Sequence, residues 1–156
     1  MRRSLKTMTT SEQEMSDEAV IRIVADSVDG IQPYSCSHVD FSQGMVSIVT
    51  SEPKVPSLVI PEDRVVVVVD LRPWKDPPVL GEQDIWRAHL SMMTIDVNVK
   101  TMMRSRNMLN CLGRNDAMIS RMLINPRYLL ALEPPSQLQQ PLRIDRGQEY
   151  WPEYGA

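Results

Sequence analysis

The residue pattern predicts an α+β fold, a small β-sheet with a buried Val-rich strand packed against Met-rich amphipathic helices, with extended terminal arms. Three observations carry this. Five consecutive valines, Val65 to Val69, are β-branched and suit a pleated surface covered on both faces. The stretch Glu82 to Leu112 has a heptad-like apolar pattern that argues a long helix. Twelve prolines lie mostly between the periodic segments and towards the C-terminus, so the connections read as extended and stiff.

Taken in chain order, Ser11 and Glu14 fit a capping box opening a helix over Glu12 to Val28. Met15, Val20, Ile23, Val24 and Val28 form its apolar stripe, and Gly30 is its stop. Pro33 to Gly44 reads as a loop, and Met45 to Thr50 as a short strand. Val55 to Ile60 reads as a second short strand broken by Pro61, and Arg64 to Leu71 as the buried one. Pro73, Pro77 and Pro78 make a rigid exit from it.

In the long helix, Ile85, Met92 and Val99 share one heptad position, and Ala88, Ile95, Met102 and Leu109 the position three later. Ile95, Val97 and Val99 also alternate with Asp96, Asn98 and Lys100, which is strand periodicity over residues 92–101. The heptad match is longer, so the helix is the expectation. Gly113 ends it, and Asn115 or Asp116 caps a second helix carrying Met118, Ile119, Met122 and Leu123, stopped by Pro126. Tyr128 to Leu132 is a further turn or strand. The expected organisation is a flexible tail over 1–11, one α+β domain over 12–132, and a Pro- and Gln-rich arm over 133–156.

At 156 residues the chain is large enough for one core without staples. A net charge of −3 gives no global pull towards nucleic acid or acidic lipid. Two cysteines make no disulfide framework, so a reducing compartment is expected: the cytoplasm, another intracellular space, or the inside of a virion. No apolar run is long enough for a transmembrane helix, so no membrane partner is expected. The opening Met1-Arg2-Arg3 lacks the apolar stretch an export signal needs.

Catalytic and metal constellations are weak. Cys36, His38 and Asp40 lie close in sequence, but only His89 and Cys111 remain to complete a zinc set, without paired-ligand spacing. Cys36 with His38 as a nucleophile pair has no further support. Val65 to Asp70 looks like the strand and acid of a phosphate-loop protein, yet no Gly-x-x-x-x-Gly-Lys motif precedes it. No catalytic residue, metal or cofactor is assigned, and the chain reads as more a non-enzyme than an enzyme.

Two features point to partners instead. Lys100, Arg104, Arg106, Arg114, Arg121 and Arg127 face a single acid, Asp116, within residues 100–127. Arginine suits carboxylate or phosphate pairing, so this cluster is the candidate surface for an acidic protein or nucleic acid. Near the C-terminus Tyr150, Trp151 and Tyr154 gather in five residues, an aromatic set of the kind that anchors interfaces. The reading is a non-enzymatic structural or adaptor subunit of a larger assembly, such as a virion, phage-tail or particle component, forming homo- or hetero-oligomers. The alternatives are a nucleic-acid-binding accessory protein using the arginine face, and an enzyme with an unrecognised site.

Overall fold

The computed structural model describes residues 20–51, 54 and 57–136. The chain forms two compact units, Met1–Val65 and Val66–Ala156, and antiparallel strands build both.

In the first unit, β1 (Ile21–Ser27), β2 (Gly30–Ser42), β3 (Met45–Thr50) and β4 (Leu58–Pro61) form a meander in which each strand pairs with the next. Its two tight turns are set by residues that accept positive φ. Gln43 and Gly44 sit at φ 54° and 78°, the signature of a type I′ turn, and Gly30 at 88° follows the β1–β2 loop. Strand β3 alternates strictly: Val46 and Ile48 are buried while Met45 and Val49 are exposed. Among the described residues, strand β4 has a neighbour on one side only. A 3-10 turn, Glu62–Arg64, ends the unit, with Arg64 3.8 Å from Asp26.

In the second unit, β5 (Val65–Asp70) starts on the last residue of the first unit. Then come β6 (Ile85–Leu90), β7 (Met93–Asn98), β8 (Met103–Ser105), β9 (Met108–Asn115), β10 (Met118–Ile124) and β11 (Leu129–Glu133). Their spatial order is β11-β6-β7-β9-β10-β5, with β8 also on β9. All five valines of β5 are buried, as an unbroken apolar strand requires. One face of the sheet is the core: Val67, Val69, Trp86, Ala88, Leu90, Val97, Leu109, Cys111, Met122 and Ile124 all lie on it and are buried.

Strands β7 and β8 lie along the same edge of β9, interrupted by a four-residue break. Buried Asn98 organises the break. Its Oδ1 accepts from the Thr101 N–H at 2.9 Å, and the Thr101 hydroxyl donates to the Asn98 carbonyl at 3.1 Å. The Leu112 N–H, which has lost its ladder partner, donates to Thr101 Oγ1 at 3.0 Å.

The α+β expectation is overturned: no α-helix occurs among the described residues, which are almost entirely antiparallel sheet. The predicted helix over Glu82 to Leu112 is a 3-10 turn followed by β6, β7, β8 and part of β9. Six-residue strands joined by two-residue turns repeat about as often as a heptad, so apolar residues recur with helix-like spacing. Met92, a member of the stripe, is 82% exposed at the β6–β7 turn, where a helix would have buried it. The predicted helix over Glu12 to Val28 is β1 from Ile21 on, with Val28 exposed in the turn, and its capping box lies outside the described residues. Pro33 to Gly44 is largely β2, and the second predicted helix is β10, with Asp116 in the β9–β10 turn at φ 57°. Among the described residues, the methionines therefore sit on strands, in turns and at the β7–β8 break. No helix among the described residues is long and apolar enough to cross a membrane.

Candidate functional site

The outer face of the second unit carries a row of charges that follows from strand register. Glu133 on β11 pairs with Arg87 on β6, Arg87 with Asp96 on β7, and Asp96 with Arg114 on β9. Directly opposed residues share a face, so four strands contribute an alternating acid-base series. Arg87 approaches Asp96 at 3.9 Å. Two further contacts close the ends of the row. Arg114 donates to both carboxylate oxygens of Glu82, at 2.8 and 3.1 Å, and His89 Nε2 lies 2.8 Å from Glu133 Oε1. The row lines an open groove of about 270 Å³, together with Ile85, Pro134 and Pro135.

Hydrogen bonding from Arg114 holds the Glu82 carboxyl below the ordinary carboxylate value, and Glu82 in turn raises the Arg114 guanidinium. Each cation of the row has a carboxylate neighbour. The row therefore fixes register between strands more than it offers a single-sign ligand a charge.

A second cluster surrounds the end of β5. Arg72 grips Asp70 through two side-chain bonds, 2.9 and 2.7 Å, and its backbone N–H adds a third at 3.0 Å. These bonds lower the Asp70 carboxyl. Arg121, opposite Asp70 in the β10–β5 register, stacks on Trp74 with its guanidinium carbon 3.8 Å from the ring centre. The valine strand therefore ends in a polar cluster.

The six predicted binding cations divide into two sets. Arg114 and Arg121 are engaged as described, and Arg127 lies 6.0 Å from the Tyr128 ring centre. Lys100, Arg104 and Arg106 are exposed at the β7–β8 break, on β8 and at the β8–β9 turn, and no described carboxylate pairs with them. Tyr150, Trp151 and Tyr154 lie outside the described residues.

The Cys36, His38, Asp40 constellation is not assembled. A bulge in the β2–β3 register between Cys36 and His38 leaves Cys36 fully buried and His38 exposed. Burial pushes the Cys36 thiol up to about 11 and the Cys111 thiol to about 12, so neither is a ready thiolate. Among the described residues no group of three or more His, Cys, Asp and Glu is placed to hold a metal.

Sequence reading missed Arg87, Asp96 and Glu133, and missed an apolar patch on β3 and β4. Met45 and Val49 flank Ser47, which faces Val59 across the β3–β4 ladder, and Val59 is 63% exposed. Period-two alternation around Arg87 and Asp96 was the available signal for the first set. No protein family, curated protein or solved structure matches this chain.

Proposed function

We propose that this chain is a non-enzymatic structural or adaptor subunit of a larger protein assembly, of the kind found in a virion, a phage tail or a multi-subunit particle. The outer face of the β3–β4 hairpin carries the reading. Met45, Val49 and Val59 are diagonal neighbours on it, and Pro61 extends the patch opposite Met45. A contiguous apolar face at a sheet edge that no other described strand covers favours contact with another protein. The rest of the meander supports such a role, because tight two-residue turns leave a stiff surface for a neighbour to meet.

Native mass spectrometry and light scattering on the full chain, alone and mixed with lysate-purified partners, test this. A double variant Met45→Lys, Val59→Lys changes only the exposed face, so its melting temperature should match the parent while its assembly is lost. A parent that is monomeric in every mixture, or a double variant that assembles normally, would refute the proposal.

A further inference from the structure

We propose that Lys100, Arg104 and Arg106 form a contact surface for the phosphate backbone of duplex nucleic acid. The three cations lie within residues 100–106, along the β7–β8 break and the short strand β8. All three are exposed, and no described carboxylate pairs with them, unlike Arg114, which is tied to Glu82. No acid occurs in the chain between Asp96 and Asp116, so this segment carries charge of one sign despite a net charge of −3.

The backbone supplies an independent observation. Arg106 is held at φ 58°, a left-handed conformation that costs least for Gly, Asn or Asp. Asn107 follows it directly, so a residue suited to that position is adjacent and yet the cation occupies it. Cations on an edge strand also discourage stray strand pairing, but that role asks for charge on β8 and not at a strained turn. Exposed Asn107, next to Arg106 in the chain, carries an amide that can donate to a phosphate oxygen. No Phe, Trp or Tyr occurs between Trp86 and Tyr128, so this segment itself supplies no stacking platform for single-stranded bases. The ligand class is therefore duplex backbone, contacted through charge without base reading. Lys100, Arg104 and Arg106 share no residue with the β3–β4 face, so duplex binding stands or falls independently of assembly.

The test is fluorescence anisotropy of a labelled 20-base-pair duplex with the full chain from about 20 to 200 mM NaCl, beside a triple variant Lys100→Gln, Arg104→Gln, Arg106→Asn. Asn tolerates the turn conformation, so the variant should fold, and its melting curve verifies that. Three phosphate contacts give a log–log salt slope near −2.7, or roughly a 40-fold loss between 50 and 200 mM. The variant should lose about that much slope with its melting temperature unchanged. Absence of duplex binding by the parent at the lowest salt would overturn the proposal, as would a slope the variant does not change. Labelled poly-glutamate serves as the probe for an acidic protein, and equal or tighter binding of it by the parent would also overturn the proposal.

Discussion

Arg114 on β9 holds both carboxylate oxygens of Glu82, a residue in the 3-10 turn Glu82–Asp84 that precedes β6. The two lie far apart in sequence and meet because β6, β7 and β9 are neighbours in the sheet. The contact thus joins the entry of β6 to the far side of the β6–β7 hairpin.

The first prediction concerns that carboxylate. Its folded value is lowered, so its contribution to stability is present above the unfolded value near 4.5 and is lost as pH falls through the lower folded value. In Arg114→Ala the Glu82 carboxyl should return to the ordinary range. Carbon-detected NMR titration reads this directly, and an unchanged Glu82 midpoint would show that the contact does not persist in solution.

Gly113 is a place where only glycine fits. It pairs with Val97, and a Cβ there would collide with the Asp96 carbonyl oxygen and the Met122 side chain. The Met122 thioether is flexible and can rotate away, but a backbone carbonyl in a ladder cannot. Gly113→Ala should cost about 2 kcal/mol, in the range for overpacked cores, measured by urea denaturation. A variant as stable as the parent would mean that β7 and β9 are not in this register.

Val67 is 1% exposed and pairs with Ile124 on β10. Val67→Asp would place an unpaired charge in the core and should cost more than about 3 kcal/mol, enough to unfold a marginal domain. Val67→Ala removes only volume and should cost about 2 kcal/mol while keeping a cooperative transition. A soluble, cooperatively melting Val67→Asp protein would place this strand at the surface.

Both cysteines should resist thiol reagents in the folded protein. Cys36 and Cys111 are buried, with thiols raised to about 11 and about 12, so at pH 8 little thiolate exists and none is reachable. Ellman's reagent should report no reactive thiol under native conditions and two in guanidinium. A fast native reaction at either site would contradict its burial.

Some of the chain declared itself from local pattern alone. Val65 to Val69 are β-branched and uniformly apolar, a combination that only a strand covered on both faces accommodates. Met45–Thr50 has the same bounds in the sequence reading and in the structure, because its alternation is short, strict and bounded by Gly44. Pro126, expected to stop a helix, instead follows the strand β10, which ends at Ile124, and Asn125 caps a 3-10 turn by accepting from the Arg127 N–H at 3.0 Å.

Other features depend on residues brought together from distant parts of the chain. Residues 82–112 contain apolar spacings that serve a helix or a set of hairpins equally well, and local propensity does not separate the two. Pairing with β10 and β11, contributed by residues beyond that segment, settles it in favour of strands. The same holds for the charges. Glu133, Arg87, Asp96 and Arg114 become a row only through register across four strands, whereas Lys100, Arg104 and Arg106 pair with no described carboxylate. The sequence by itself determined where the valine strand runs and which residues carry charge. Tertiary structure decided which charges neutralise one another, because ion pairing is set by distance in space and a one-residue slip in register would reassign every partner.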